Sequence, residues 1–298
     1  MSTGLSIFVT VVSILNILAC WWLIRWTMKS RPGESAEGEV TGHTWDDGHL
    51  AELNNPLPRW WLFMFYITIA FALVYLVLYP GLGNFKGVLG WTAENQYEAE
   101  IAAADERYGP IFAKYASQDL TALAQNPEAL QVGQRLFGTY CAQCHGSDAK
   151  GAPGFPNLAD AEWLYGGEPE TIKTTILNGR NGVMPPMGQA VGDEQAVDEV
   201  VAYVMSLSGM VSAEAGAAGK AKFEQICAAC HMPDGTGNPA LGAPNLTNDS
   251  WLYGGSRGAI KKTIMEGRQG MMPAHEEFLG DDKIHVLAAY VYSLSQQK

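Results

Sequence analysis

Beyond residue 125 the sequence repeats itself, and this self-similarity limits the fold more than any other feature. Gly133-QRLFGTYCAQCH pairs with Gly219-KAKFEQICAACH at an offset of 86, and Trp163-LYGG pairs with Trp251-LYGG at 88. Pro156-Asn-Leu and Pro244-Asn-Leu, then Asn178-GRNGVMP and Glu266-GRQGMMP, keep the offset of 88, and Tyr203 and Tyr290 match at 87. A two-residue insertion between His231 and Pro244 accounts for the first change. Two copies of one domain are expected, at 125–210 and 211–298, each within the usual size of an independent core. Leu130, Val132, Leu136 and Phe137 near the start of the first copy, and Val197, Val200, Val201, Val204 and Leu207 at its end, predict helices with one apolar face. The middle of each copy, GAPGFPNL or GNPALGAPNL, holds too much Gly and Pro for regular structure. A small helical unit with such loops is poorly cored unless something else fills it.

Each copy carries a candidate for that role. Cys141, Cys144 and His145 fall within five residues, and Cys227, Cys230 and His231 repeat the arrangement. CxxC alone permits a zinc half-site or a redox dithiol, but a histidine directly after the second cysteine is the attachment pattern of c-type haem. Two thioether bonds to the porphyrin edge hold the adjacent imidazole beneath the iron as proximal ligand. Two covalently attached haems c are therefore expected.

A sixth ligand decides what such an iron can do. Met184-Pro185 lies 39 residues after His145, and Met272-Pro273 lies 41 after His231. His/Met ligation raises the potential and closes the iron to exogenous ligands, so electron transfer without bond chemistry is the expected role. Met187, Met271 and His275 compete for the position, but only Met184 and Met272 coincide in register and in Met-Pro context. Arg180 and Arg268, in the paired Gly-Arg turns, are candidates to hydrogen-bond haem propionates, because a guanidinium matches a carboxylate. Trp163 and Trp251 are expected to wall the haem pockets. A dihaem peroxidase or a haem-based sensor needs an iron open to ligand, which the Met-Pro elements oppose.

The first 80 residues are of another kind. Leu5–Ile24 and Trp60–Tyr79 are two uncharged runs of 20 residues, each near the ~20 needed to span a hydrocarbon core. A cleaved lipoprotein-type leader ending at Cys20 is disfavoured: no Lys or Arg precedes the run, and Trp21-Trp22-Leu23-Ile24 continues it. Arg25, Lys29, Arg31 and Arg59 flank the loop between the runs, so the positive-inside rule makes that loop cytoplasmic and the repeats periplasmic. Ser6, Thr10, Ser13, Asn16 and Cys20 share one helical face, which in lipid seeks a partner helix. His43 and His49 lie in the loop, across the bilayer from the haem boxes, and read as ordinary loop residues. The expected segments are a first membrane helix at 1–30, a loop at 31–58 with a flexible start, a second helix at 59–80, and a helical connector at 81–124.

The order of these features resembles one family. TWDDGHLAELNNPLPRWW leading into the second run, LYPGLGNFKG leaving it, and two CxxCH units with WLYGG and GRxGxMP are similar to the dihaem subunit, subunit III, of cbb-type cytochrome c oxidases. The resemblance implies an all-α chain: two N-terminal transmembrane helices in a bacterial inner membrane, then two tandem class I-like cytochrome c domains. It also implies electron flow from a donor c-type cytochrome, through this subunit, to a monohaem cytochrome c subunit and a haem–copper catalytic subunit. Membrane lipid is a further partner and nucleic acid is not. The residues by themselves reach only a membrane-anchored dihaem carrier, which could equally serve a dehydrogenase. Residues 125–210 hold ten acidic and four basic side chains, and 211–298 hold nine and eight. Charge thus favours the first copy as the dock for a basic donor, whereas its tether to the membrane favours the second.

Overall fold

The computed structural model describes residues 1–29 and 31–296; the expected boundary at residue 30 and the last two residues of the second repeat fall outside them. The chain divides into two units, Met1–Glu106 and the remainder from Arg107.

In the first unit, α1 (Thr3–Thr27) and α2 (Arg59–Leu78) are long and apolar enough to cross a membrane; α1 contains the first expected run, and α2 the second up to Leu78, with Tyr79 as its cap. The polar face of α1 is satisfied close to home. Ser6 Oγ accepts from the Asn84 amide (2.8 Å), Thr10 donates to the Ser6 carbonyl (2.9 Å), and Asn16 donates to the Val12 carbonyl (2.8 Å). Ser6, Thr10 and Ser13 are partly covered, while Asn16 and Cys20 stay exposed. Between the helices stands a hairpin that the sequence reading did not include, β1 (Val40–Trp45) against β2 (Leu50–Leu53). Its turn, Asp46-Asp47-Gly48, has positive φ at all three residues (53°, 52° and 91°), a turn chemistry that Asp and Gly tolerate best. The structured loop therefore begins at Val40, within the stretch expected to be flexible. Helix α3 (Ala93–Ala116) follows and runs from the first unit into the second.

The second unit continues with α4 (Leu120–Leu123), α5 (Pro127–Tyr140), α6 (Ala142–His145), α7 (Pro169–Asn178), β3 (Arg180–Met184), α8 (Gly188–Val191) and α9 (Glu194–Leu207). Then follow α10 (Ala213–Gly216), α11 (Lys220–Ile226), α12 (Ala228–His231), α13 (Arg257–Glu266), β4 (Arg268–Met272), α14 (Glu276–Leu279) and α15 (Asp281–Gln296). Sequence periodicity explains the long helices. Asn126 caps α5 by accepting from the Glu128 and Ala129 amides, and Asp193 caps α9 by accepting from the Ala196 amide. Val197, Val200, Val201 and Val204 then line one buried face of α9, as Ile284, Leu287, Ala288 and Val291 do on α15.

The packing does not follow the contiguous repeats. Helix α15, from the second repeat, packs on α5 and α7 of the first, while α9, from the first, packs on α11 and α13 of the second. One core thus joins Phe137, Ile172 and Ile176 to Ile284, Leu287 and Val291; the other joins Val197, Val200 and Val201 to Phe223, Ile260 and Ile264. Each large apolar side chain buried there is worth about 1.5–3 kcal/mol. The chain crosses between the lobes through β3 and β4, which pair antiparallel with Arg180 opposite Met272, Gly182 opposite Gly270 and Met184 opposite Arg268. The crossing points are Gly179 (φ +68°) and Gly267 (φ +74°), where a Cβ would strike the Met272 and Met184 carbonyl oxygens respectively. Surface pairs follow the exchange: Lys173 meets Asp281, and Lys261 meets both Glu194 and Asp198, all at 2.9 Å. Below, the first lobe is the one holding His145 and the second the one holding His231.

Candidate functional site

Each CxxCH box is one helical turn continuing the helix before it. Cys141 caps α5 and Cys227 caps α11; the His145 and His231 amides each donate to the carbonyl of the first cysteine, 3.0 Å away. One turn therefore places both thiols and the imidazole together, with Cys144 and Cys230 exposed and Cys141 and Cys227 half-buried. His145 and His231 are buried, and Nδ1 of each lies 3.0 or 3.1 Å from the carbonyl of Pro156 or Pro244. That carbonyl can only accept, so Nδ1 carries the proton and Nε2 keeps the lone pair. Burial pushes both histidines below the ordinary imidazole range, more than the carbonyl bond raises them, and the nearby charge of His275 lowers His145 further. The neutral, Nδ1-anchored imidazole is what an iron ligand requires.

The two rival readings fare worse. Burial first, and the neighbouring cysteine second, push the Cys141 and Cys227 thiols up to about 11, away from the activated thiolate that dithiol exchange needs. Among the described residues, no three His, Cys, Asp or Glu side chains gather as a metal-binding set. The donor set fits covalent haem.

The exchanged strands rearrange the sixth-ligand candidates. Met272 packs against the first core, alongside Cys141, Leu158 and Trp163. Met184 is carried by β3 to Gly267, at the end of α13, in the lobe where Cys227 and Trp251 pack. Pairing by chain distance, Met184 with His145 and Met272 with His231, is therefore not the pairing that packing brings about. His275 moves with its strand: its amide donates to the Ile176 and Leu177 carbonyls (3.1 and 3.2 Å), which puts it in the first lobe. Met187, its counterpart, packs in the second lobe and donates its amide to the Ile264 carbonyl at 2.8 Å.

The arginines are held from behind. Arg180 Nε donates to Thr175 Oγ1 at 2.9 Å and the guanidinium lies 4.6 Å over the Tyr165 ring; Arg268 does the same with Thr263 (2.9 Å) and Tyr253 (4.5 Å). The terminal nitrogens have no protein hydrogen bond among the described residues, leaving a fixed fork suited to a carboxylate. Tyr165 and Tyr253 were missed in the sequence, although both sit inside the repeated WLYGG.

Comparison with known proteins shows the family. A family model described as the N-terminal domain of cytochrome oxidase-cbb3, FixP, matches residues 37–86, covering the hairpin, α2 and the turn beyond it. A second, described as cytochrome c oxidase, cbb3-type, subunit III, matches residues 128–204 and 214–291. The chain is 49% identical over 296 residues to the cbb3-type cytochrome c oxidase subunit CcoP of Rubrivivax gelatinosus, covering 99% of this chain and 96% of that one. The chain belongs to the cbb3-type cytochrome c oxidase subunit III family. Other members include CcoP of Cereibacter sphaeroides (40% identity, 89% of this chain, 97% of that one) and FixP of a Bradyrhizobium strain (40%, 87% and 95%). As a subunit III chain it is mostly helical, with two apolar N-terminal helices and two tandem cytochrome units whose CxxCH boxes suit haem c.

Proposed function

We propose that this chain is the dihaem electron-transfer subunit of a cbb3-type terminal oxidase, taking electrons from a donor c-type cytochrome toward the core that reduces oxygen and pumps protons. The observation that carries the reading is the family match over nearly the whole chain, joined to two buried histidines with Nδ1 anchored on a backbone carbonyl. Cys141 and Cys144 would hold one haem and Cys227 and Cys230 the other. Bound there, haem c supplies a one-electron store whose potential His/Met ligation raises.

The chain's own residues do the rest. His145 is completed by Met272 and His231 by Met184, a pairing supported by Met272 packing in the core of Cys141. Pro156 and Pro244 fix the imidazole orientation, and Arg180 and Arg268 offer their fork to propionates. Helices α1 and α2 anchor the subunit in the inner membrane beside the monohaem and haem–copper subunits, with the hairpin cytoplasmic and the haem units periplasmic. Protease added to intact spheroplasts should then digest the haem units and spare the hairpin around Trp45.

Purification in mild detergent tests the function. A haem-stained band of this chain should travel with an oxidase core, and removing the chain should abolish donor-driven oxygen uptake. A chain that purifies alone with a dehydrogenase, or whose reduced haems bind carbon monoxide, would contradict the proposal.

A further inference from the structure

The two lobes meet through a reciprocal pair of tyrosines. In the first lobe, one face of Tyr165 lies against Arg180 and its hydroxyl approaches the middle of β3, 3.2 Å from where a Cβ on Gly182 would stand. The ring also rests on Gly242 of the second lobe, so closely that no Cβ could be accommodated there. Tyr253 makes the mirror arrangement with a looser contact, since a Cβ on Gly154 would fit at ordinary van der Waals distance. It lies against Arg268, its hydroxyl is 3.3 Å from a Cβ on Gly270, and its ring is 3.5 Å from a Cβ on Gly154 of the first lobe. The Gly154 amide donates to the Leu252 carbonyl at 2.8 Å, which adds a backbone tie to this contact.

The positions of the two glycines give the contact a consequence. Gly242 stands two residues before Pro244, whose carbonyl holds His231 Nδ1. Gly154 stands two residues before Pro156, whose carbonyl holds His145 Nδ1. Both loops are short and internally bonded: the Ala243 amide donates to the Asn238 carbonyl at 3.1 Å and the Ala152 amide to the Phe155 carbonyl at 3.1 Å, and each holds its glycine and its proline two residues apart. The strength of the bond that a ligating imidazole donates through its distal nitrogen sets its basicity toward the metal.

We infer that Tyr165 and Tyr253 are positioning residues that act across the repeats, each setting the carbonyl that orients the proximal histidine of the opposite lobe. The inference rests on the haem-binding reading above but not on which methionine serves which iron. Its signature is a crossed effect: a change in one repeat is felt at the haem attached to the other.

The test uses the intact holoprotein. Converting Cys144 or Cys230 to serine leaves one thioether and one unreacted vinyl group, which moves the visible band of that haem and labels it in a spectroelectrochemical titration. Tyr165→Leu should shift the midpoint of the haem at Cys227/Cys230, a change that the loss of support for Arg180 in its own lobe does not produce. It should also speed amide exchange at 242–246, a readout independent of electron flow. Tyr165→Phe, which keeps the ring on Gly242, should restore both. Should Tyr165→Leu fail to fold, Tyr165→Met, and the mirror variant Tyr253→Leu read at the Cys141/Cys144 haem, carry the same outcomes. A folded variant that leaves the haem of the opposite repeat and the exchange of its loop unmoved overturns the inference while leaving the haem assignment intact.

Discussion

Phe137 of the first repeat packs on Tyr290 of the second, ring centroids 5.6 Å apart and tilted by 56°. The mirror pair, Tyr203 of the first repeat on Phe223 of the second, stands at 5.1 Å. Both aromatic contacts join the repeats, as the exchange of α9 and α15 requires. A double-mutant cycle at Phe137 and Tyr290 should give a coupling of about 0.5–1.5 kcal/mol, the usual worth of such a pair beyond its burial. The same cycle at Phe137 and Tyr203, which belong to one repeat, should give about zero. Chemical denaturation of the holoprotein measures both, and a reversed result would mean that each repeat folds on itself.

The residue after each haem box takes φ > 0, with Gly146 at +78° and Met232 at +65°. Glycine adopts this geometry freely, whereas a side chain there costs roughly 1–3 kcal/mol. Met232 is 42% exposed, so truncation gives up only part of a side chain's burial. Met232→Gly should therefore raise stability by about 1 kcal/mol and Gly146→Ala should lower it by a similar amount or more. Thermal melts of the two variants check the opposite signs.

The exchange also redraws the surface charge. Grouped by lobe, residues 125–180 with 272–296 carry ten acidic and five basic side chains, and 181–271 carry nine and six. The contrast between the repeats is thereby reduced. Glu276 and Glu277, in the second repeat, belong to the first lobe, beside exposed Phe278, whose ring is 5.8 Å from Tyr140 next to the CAQCH box. Asp193 and Glu194, in the first repeat, belong to the second lobe. Reversing Glu276 and Glu277 to lysine should slow reduction by a basic donor several-fold at low salt, with the effect fading as salt screens the field. Stopped-flow reduction against ionic strength reads it. Unchanged rates there, with slowing at Asp193 and Glu194, would move the docking surface to the second lobe.

Much of this was legible in the sequence because the signals are local. The haem boxes, the Met-Pro elements, the apolar runs and the helical faces of α5 and α9 each depend on spacing within a few residues. The exchange is a different kind of fact. AYVMSLS and AYVYSLS present nearly the same apolar face, so either helix fits against α5 or α11, and periodicity carries no information about which it chooses. The choice lies in β3 and β4, five residues each with a glycine at the centre, too short and too permissive to read as strands. The β1–β2 hairpin escaped for a similar reason, although Asp46-Asp47-Gly48 is a turn signal. Arg180 and Arg268 were legible as paired side chains, but the tyrosines that support them become visible only when the lobes are assembled.

The most direct measurement follows the methionines. Met272→Leu and Met184→Leu remove a sulfur ligand at nearly constant volume, so folding should largely survive. With each haem labelled through Cys144→Ser or Cys230→Ser, the spectrum and midpoint of the affected iron identify its ligand. Met272→Leu should disturb the haem at Cys141/Cys144, making it high-spin or lowering its potential, and leave the haem at Cys227/Cys230 unchanged; Met184→Leu should do the converse. If Met272→Leu instead disturbed the haem of its own repeat, at Cys227/Cys230, the crossed assembly of the two lobes would be contradicted.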